Sequence, residues 1–289
     1  LNGQIADIVF TSGALQDKLG FYTDAAKTYV RRRIYPTEEL QERERIANTV
    51  FWPVVPEIAN PAHRSGALSA VFLGLTLPIL GPRLIPETIR QRHVGYPPYR
   101  RMPHIRNIIA DPVSVIGFIP TFLWKRYVEI PRVPGLFLRN AGRRYGLEFH
   151  NEHLPSSESR VRLMSEADRN GLRRIEIDFR FAERDVQSVI RSHELLEDWL
   201  RHNNLGRLEY RMRQEKRADG VRREARHGNH QIGTIRMGRT RDDGVVDEFG
   251  TSFDFANLHV TSTAILPTSS QANPTLTAMQ LALRLVDRL

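Results

Sequence analysis

Three short runs between residues 144 and 181 alternate apolar and polar side chains, and this period of two constrains the fold more than any other feature. Turn-forming residues separate the runs. The third run, residues 173–181, directs four apolar side chains to one face: Ile175, Ile177, Phe179 and Phe181. The alternation predicts an antiparallel sheet with one buried face over residues 144–181.

Helical spacing replaces the alternation directly after the sheet. Residues 182–203 repeat apolar side chains at intervals of three and four, which predicts an amphipathic helix that buries Val186, Val189, Ile190, Leu195, Leu196 and Trp199. An earlier stretch, residues 37–52, also has helical character, with Thr37 placed to cap it. The fold class is therefore α+β. The remaining expected elements are an arginine-rich linker (207–227), a strand (257–266) and a last helix (274–289).

The net positive charge suggests a nucleic-acid binder, but the distribution of the basic residues does not support this interpretation. The chain of 289 residues has a net charge of +9, and only four of its 42 basic residues are lysines. The arginines are spread along the chain, and no aromatic side chains interleave with the clusters at 31–33 and 222–223 as base stacking requires. We therefore expect no nucleic-acid partner. The lack of cysteine excludes disulfides, thiolate metal sites and cysteine nucleophiles.

Two apolar segments, residues 66–87 and 111–127, are broken by prolines and are too short to cross a membrane. We interpret them as buried helices bent by proline. Two alternatives stay open: the wall of a substrate channel, and a membrane-surface contact at the end of the second segment, where Trp124, Lys125, Arg126 and Tyr127 follow one another. No charged stretch followed by an apolar one opens the sequence, which favours a cytoplasmic protein without assigning a compartment.

Short motifs near the C terminus carry the functional signal. The stretch "HQIGTIRMG" (230–238) places a histidine before a glycine-bearing turn, and "GVVD" (244–247) follows it. A Pro-Thr pair (267–268) then precedes Asn-Pro-Thr (273–275) at the start of the last helix. In this order and spacing, the C-terminal region resembles that of the glucose–methanol–choline (GMC) family of flavin-dependent oxidoreductases. The resemblance extends upstream to about residue 60 and is specific mainly from residue 150.

The resemblance implies an FAD cofactor and a small-molecule alcohol as the substrate. In such chemistry the substrate carbon gives a hydride to flavin N5 while a base takes the hydroxyl proton. His230 matches the family's base, and Asn273 matches the residue that orients the substrate oxygen. Asn273 also has an independent structural reading, as the N-cap of a helix with Pro274 at its first position. The flavin contacts implied by the resemblance are Ser262, Thr263, Pro274 and Thr275.

The sequence lacks one motif that the resemblance leads us to expect, and it contains other histidines that could serve as site residues. The family's G-x-G-x-x-G flavin-binding turn has no match here, so we expect that the N-terminal flavin domain is missing from this chain and that the chain alone is inactive. His227 and His230 lack a nearby carboxylate, so no metal site is predicted. His150 and His153 flank Glu152; we expect surface or structural roles for these histidines, and the alternative that one of them lines the pocket stays open.

The resemblance divides the chain into two expected parts. Residues 1–226 form a substrate-binding part, helical over 1–140 and with a sheet and helix over 144–203, and residues 227–289 complete a Rossmann-like flavin domain. Two other functions remain open: a redox-silent lyase on the same fold, and a non-catalytic chain that binds a partner. The electron acceptor (oxygen, a quinone or a cytochrome) is not readable from the sequence.

Overall fold

The computed structural model describes residues 1–124, 128–130, 138–225 and 230–288. Over these ranges the chain has the predicted α+β class: an antiparallel sheet with helices on one face, a layer of short helices, and a C-terminal segment of turns that ends in a helix. Two groups of residues considered above lie outside the described residues: Lys125, Arg126 and Tyr127 of the possible membrane contact, and His227 of the rejected metal pair.

The strands are β1 (Asn2–Phe10), β2 (Phe21–Thr23), β3 (Tyr29–Arg31), β4 (Thr49–Val54), β5 (Arg144–Asn151), β6 (Arg160–Ala167), β7 (Arg173–Asp178) and β8 (Gly206–Tyr210). The main sheet has the antiparallel order β4–β5–β1–β8. The structure corrects the expectation that residues 1–140 are helical, because β1 and β4 lie there. β4 is a short, almost wholly buried apolar run, a type of sequence that periodicity alone cannot assign to helix or strand, and β1 mixes apolar residues with Gln4 and Asp7.

The helices are α1 (Gly13–Lys18), α2 (Glu38–Glu44), α3 (Gly66–Leu75), α4 (Gly81–Leu84), α5 (Glu87–Val94), α6 (Arg101–Ala110), α7 (Pro112–Leu123), α8 (Glu183–His202), α9 (Arg217–Ala225) and α10 (Thr275–Val286). The predicted cap of α2 is confirmed, since the Thr37 hydroxyl accepts a hydrogen bond from Leu40 N at 3.3 Å. The helix ends earlier than predicted, with Arg45 in a left-handed conformation, and β4 takes up the rest of the range.

The core lies between the sheet and the helices α8 and α9. Alternate residues of β5, namely Tyr145, Leu147 and Phe149, are fully buried there. The predicted amphipathic helix is confirmed as α8, which buries Val186, Val189, Leu196 and Leu200. Trp199 was placed on the buried face but is 44% exposed. Part of the predicted linker at 207–227 is ordered structure: β8 extends the sheet, and α9 packs beside α8.

β6 and β7 form a hairpin of their own and do not extend the sheet of β5. Their alternation is as predicted, with Val161 opposite Ile177 and Leu163 opposite Ile175. The expected burial of this face is wrong for the described chain, because all four side chains are exposed. The period of two therefore identified the strands but not what covers them.

The short helices of residues 61–123 form the second layer. α3 is buried, as predicted, and contacts both α6 and α7. Buried His104 stacks on Phe72 at 3.9 Å between ring centroids and shares a hydrogen bond with Ser69. α7 is not the buried helix that was predicted, since the side that faces away from α3 is open to solvent.

No single helix in the described ranges has the length and apolar character needed to cross a bilayer. α6 and α7 would meet that requirement only when taken together, and their axes bend by 89° at the break between them.

Burial of His193 predicts a loss of stability in mild acid. Its ring lies between Phe51 and Phe149, donates from Nδ1 to Val189 O at 2.7 Å, and is fully buried. Burial lowers the pKa of His193 from 6.5 to about 4. Below pH 6.5 the unfolded chain therefore takes up the proton first, and we expect His193 to contribute a loss of about 3 kcal/mol in unfolding free energy by the time the pH reaches its folded-state pKa.

Denaturant unfolding across this pH range measures the effect. His193→Leu should reduce the pH dependence, while His202→Leu, at an exposed position of the same helix, should leave it unchanged. Other buried histidines, such as His63, will leave some pH dependence in both variants. An unchanged slope in His193→Leu would contradict the assignment.

Candidate functional site

The turn that follows His230 is held by backbone pairing with a later segment. Ile235 N donates to Ala264 O at 3.0 Å, and Met237 N donates to Ile265 O at 2.7 Å. Gly233 lies between His230 and these bonds with a φ of +79°, a conformation that side chains with a Cβ rarely adopt. The segment after His230 is thus fixed to residues 263–265, where the predicted strand at 257–266 is replaced by isolated bridges and a 3₁₀ turn, Thr263–Ile265.

Two glycines of the motif bring backbone directly against backbone. A Cβ on Gly238 would lie 2.6 Å from Gly244 N, and a Cβ on Gly244 would lie 2.5 Å from Gly238 N. Close approach allows Gly238 N to donate to Val246 O at 2.9 Å and Val245 N to donate to Arg236 O at 2.9 Å. The spacing of the "HQIGTIRMG" and "GVVD" motifs therefore reflects a crossing of two backbones that excludes side chains.

His230 lies at the end of the main sheet, beside His150 of β5. The two imidazole rings are 6.1 Å apart between centroids, with 63° between their planes. His230 is exposed and His150 is half-buried. His150 points away from the core because it alternates with Phe149, which belongs to the buried face. The sequence-predicted base is thus brought to the open face of the sheet.

The loop that leads to Asn273 is bound to the same strand end. Ser269 and His153 exchange two hydrogen bonds, His153 N to Ser269 Oγ at 3.0 Å and Ser269 Oγ to His153 O at 3.1 Å. The Gln271 backbone carbonyl lies near the His150 ring, where it partly offsets the lowering of its pKa. His150 therefore lies beside His230 and near the loop two residues before Asn273. A joint catalytic role of His230 and Asn273 remains a prediction.

The start of α10 differs by one residue from the prediction. α10 begins at Thr275 with Pro274 as its N-cap, so Asn273 is not the cap residue. Ala278 N donates to Pro274 O at 3.0 Å, which closes the first turn. Asn273 and Thr275 are exposed and Pro274 is partly exposed. Asn273 precedes the helix, and its amide is not committed to capping it.

Ser262 and Thr263, two of the predicted flavin contacts, have structural partners. Ser262 caps the 3₁₀ turn, its Oγ accepting from Ala264 N at 3.1 Å. Thr263 Oγ1 donates to Gln231 O at 3.0 Å, next to His230 in sequence. The structure assigns both hydroxyls a role in holding the His230 turn. A flavin contact for either residue remains a prediction.

His150 is the residue that the sequence reasoning undervalued. Burial, together with the positive charge of Arg33 and the neighbouring His230, lowers the pKa of His150 from 6.5 to about 4. The Arg33 guanidinium stacks on Trp52, whose ring packs edge-on against His150 at 4.7 Å. His150 is therefore neutral at neutral pH. The alternation of apolar residues in β5 already indicated this position, because it places His150 at the end of the strand on the face that points away from the core.

Beyond His150, charged and amide side chains cover the open face of the sheet. Asp7 accepts from Arg144 Nη1 at 3.0 Å and from Arg211 Nη2 at 2.8 Å. Gln4 donates to Glu148 at 2.8 Å. These bonds connect β1, β5 and the end of β8 across the face, so the sheet presents a polar, hydrogen-bonded floor next to the His230 site.

A cavity of about 230 Å³ lies elsewhere, between α3 and α7. Phe118, Phe122, Ala67 and Leu138 supply most of its apolar lining. None of the sequence-predicted site residues borders it. The histidine site at the sheet end is open rather than enclosed by the described residues.

The geometry agrees with a comparison of the sequence with known families. A family model described as GMC oxidoreductase matches residues 155–282, which include the His230 turn and Asn273. Residues 155–282 are thus similar to the C-terminal domain of GMC oxidoreductases. Members of the GMC family are oxidoreductases that act on alcohols and are typically FAD-dependent.

Individual GMC proteins match shorter parts of the chain. A long-chain-alcohol oxidase from Arabidopsis thaliana is 37% identical over 60 residues, which are 21% of this chain and 8% of that protein. The crystal structure of pyridoxine 4-oxidase from Mesorbium loti matches 53% of this chain and 31% of its own, with 24% identity and a TM-score of 0.38. The chain thus spans less than a third of either relative.

The crossing of Gly238 and Gly244 predicts a specific sensitivity. Gly244→Ala would place a methyl group 2.5 Å from Gly238 N and 2.7 Å from Arg236 O, both of them backbone atoms. We expect a loss of about 1–3 kcal/mol in stability and faster hydrogen exchange in residues 231–246, measured by mass spectrometry. Gly117→Ala is the matched control, since no atom lies within 4 Å of its added methyl group. Equal protection in both variants would contradict the crossing.

Proposed function

We propose that the protein is an FAD-dependent oxidoreductase that acts on the CH–OH group of an alcohol, with His230 as general base and Asn273 as the residue that orients the substrate oxygen. The observation that carries the proposal is the position of His150. Its ring lies 6.1 Å from the His230 ring between centroids and near the Gln271 carbonyl, which is two residues before Asn273. The match of a GMC oxidoreductase family model to residues 155–282 supports the same chemistry.

The N-terminus of α10 is the feature that fits a flavin. α10 is a helix of 12 residues with a proline cap that offers no side-chain hydrogen bond, and Thr275 at its first turn is exposed. Helix N-termini favour negative charge, because their free N–H groups and the helix dipole point outward. Pro274 and Thr275 would hold the edge of the ring where negative charge collects on reduction. FAD, when bound, supplies the acceptor for the substrate hydride.

The residues of this chain would perform the proton chemistry. His230 is exposed and uses one ring nitrogen to accept the hydroxyl proton of the alcohol. The Asn273 amide donates a hydrogen bond to the same oxygen as negative charge grows on it. His150, neutral through its lowered pKa, adds no positive charge beside His230 and keeps the Asn273 loop in place through Gln271. His150 is thus a positioning residue.

Part of the flavin site lies on sequence outside these 289 residues in our proposal. The chain has no G-x-G turn for the pyrophosphate. α10 also has an uncovered apolar stripe at helical spacing, formed by Leu276, Met279, Leu283 and Val286. A soluble domain rarely leaves such a stripe on a terminal helix unless another surface packs on it. We propose that the flavin domain covers this stripe and thereby brings the α10 N-terminus to the cofactor.

Substitution of the proposed catalytic residues tests the function in the FAD-loaded holoprotein. His230→Ala should slow anaerobic reduction of the flavin by an alcohol about 10²–10⁴-fold, because the hydroxyl proton loses its acceptor. Asn273→Ala should slow it about 10²-fold or more. The measurement is the rate of bleaching of flavin absorbance in stopped flow.

His202→Ala, an exposed histidine on α8, is the control and should reduce at the wild-type rate. Each variant must retain its flavin, measured by absorbance, so that a loss of cofactor is separated from a loss of chemistry. Unchanged reduction in His230→Ala would remove the base assignment. A wild-type holoprotein whose flavin no alcohol bleaches would favour redox-silent chemistry on the same fold.

The positioning role of His150 has its own signature. His150→Phe keeps a ring against Trp52 but removes the polar ring nitrogens near the Gln271 carbonyl, and we expect flavin reduction to slow about tenfold through a less ordered Asn273 loop. His150→Gln restores a donor and should recover most of the rate. Equal losses in both variants, with no recovery by glutamine, would contradict a role through the Gln271 bond.

A further inference from the structure

We propose that the outward faces of α6 and α7 bind the surface of an anionic lipid bilayer. This surface, here the α6–α7 face, consists of Met102, Ile105 and Ile109 on α6 and of Val113, Ile116 and Trp124 at and beyond α7. Binding of a membrane by this face is independent of the chemistry at His230.

The apolar side chains of the α6–α7 face form continuous stripes on the exposed side of each helix. Val113 and Ile116 are 79% and 76% exposed, and Trp124 follows at the helical interval of eight residues. On α6, Ile109 is 74% exposed. The outward side of α7 has no charged residue between Asp111 and Trp124. Such a concentration of exposed apolar area marks a binding surface.

The inner sides of both helices are fixed, so the outward direction is defined. Asp111 caps α7 by accepting from Ser114 N at 3.3 Å and also accepts from Gly66 N of α3 at 2.9 Å. Ser114 Oγ accepts from Ala67 N at 3.0 Å. On α6, Asn107 donates to Ser69 Oγ of α3 at 3.1 Å. α3 therefore holds the polar side of each helix and leaves the apolar stripes on the far side.

The lengths of the two helices favour binding in the plane of the membrane. α6 and α7 have 10 and 12 residues, so each is at most about 18 Å long, against a hydrocarbon core of about 30 Å. The 89° bend prevents them from acting as one span. Apolar stripes on short helices suit insertion at the boundary of headgroups and acyl chains.

Charge complementarity identifies an anionic bilayer as the occupant. Between residues 88 and 128 the only carboxylate is Asp111, which is engaged in capping α7 and α3. The same range contains seven arginines and lysines, of which Arg100 and Arg106 are exposed on and beside α6. Basic residues next to an exposed apolar stripe are the pattern of membrane-surface helices. The α10 stripe lacks this excess of basic residues over its length, since Arg284 is the one basic residue of α10.

Vesicle sedimentation tests the proposal with the 289-residue chain. We expect binding to vesicles in which about a third of the phosphatidylcholine is replaced by phosphatidylserine, and weaker binding to pure phosphatidylcholine. Salt should weaken binding to the anionic vesicles. The double variant Val113→Ser/Ile116→Ser should bind about tenfold or more weakly, because its apolar contribution is lost. Arg100→Gln/Arg106→Gln should abolish the preference for anionic vesicles.

The matched control is Leu276→Ser/Met279→Ser, an equally exposed apolar pair on α10, which should bind vesicles like the unmodified chain. Circular dichroism verifies that all variants are folded. The proposal is overturned if the unmodified chain does not sediment with anionic vesicles, or if the α7 and α10 variants lose binding equally. It is also overturned if the α7 variant binds vesicles normally and instead abolishes self-association, since a second copy would then be the occupant.

Trp124 provides a readout of depth. Trp52 is buried and Trp124 is exposed, so vesicle binding should shift the emission of Trp124 to shorter wavelength and expose it to quenching by brominated lipid. Trp124→Phe should abolish most of this response, while Trp199→Phe should retain it. A response that persists in Trp124→Phe would place the contact elsewhere on the protein.

Discussion

The alternation of β5 is the constraint on which the rest of the structure depends. Tyr145, Leu147 and Phe149 anchor the sheet to α8, and a slip of one residue in register would move all three out of the core. The same constraint fixes the opposite face, because His150 must then point toward His230 and Gln271. Stability and the candidate site are therefore two consequences of one strand register. Substitutions that disturb the core face of β5 will also displace the site, even though they lie on the other side of the sheet.

Local sequence patterns predicted those helices whose features depend on residues close together in sequence. The Thr37 cap and the amphipathic face of α8 follow from spacing within one helix, and both are confirmed. β4 could not be assigned in this way, because a short buried apolar run carries no period that separates strand from helix. The sequence also could not predict whether the apolar face of β6 and β7 is buried. Alternation shows that one face is apolar, but only a tertiary partner decides whether it is covered.

The site could be predicted in part for a similar reason. The family resemblance pointed to His230 and Asn273, and the glycine spacing after His230 corresponds to the close backbone approach of Gly238 and Gly244. It gave no sign of His150, whose contribution arises from pairing between β5 and a loop more than a hundred residues later. The resemblance implied a flavin contact for Ser262, and it gave no sign that the Ser262 hydroxyl caps a 3₁₀ turn. A single sequence does not reveal residues whose roles depend on contacts with residues far away in the chain.

The two exposed apolar surfaces, the α10 stripe and the α6–α7 face, differ in the charge of the residues around them. This difference determines which kind of partner can cover each surface. Among the described residues, both the α10 stripe and the α6–α7 face are exposed to solvent. The α10 stripe adjoins a helix N-terminus that suits an anionic cofactor, and a folded domain can satisfy both at once. The α6–α7 face instead combines isolated aliphatic side chains with a local excess of arginine. A fluid anionic bilayer can accommodate that combination without shape complementarity, whereas a protein partner would need to match it residue by residue. Local charge therefore favours a folded domain on the α10 stripe and an anionic bilayer on the α6–α7 face.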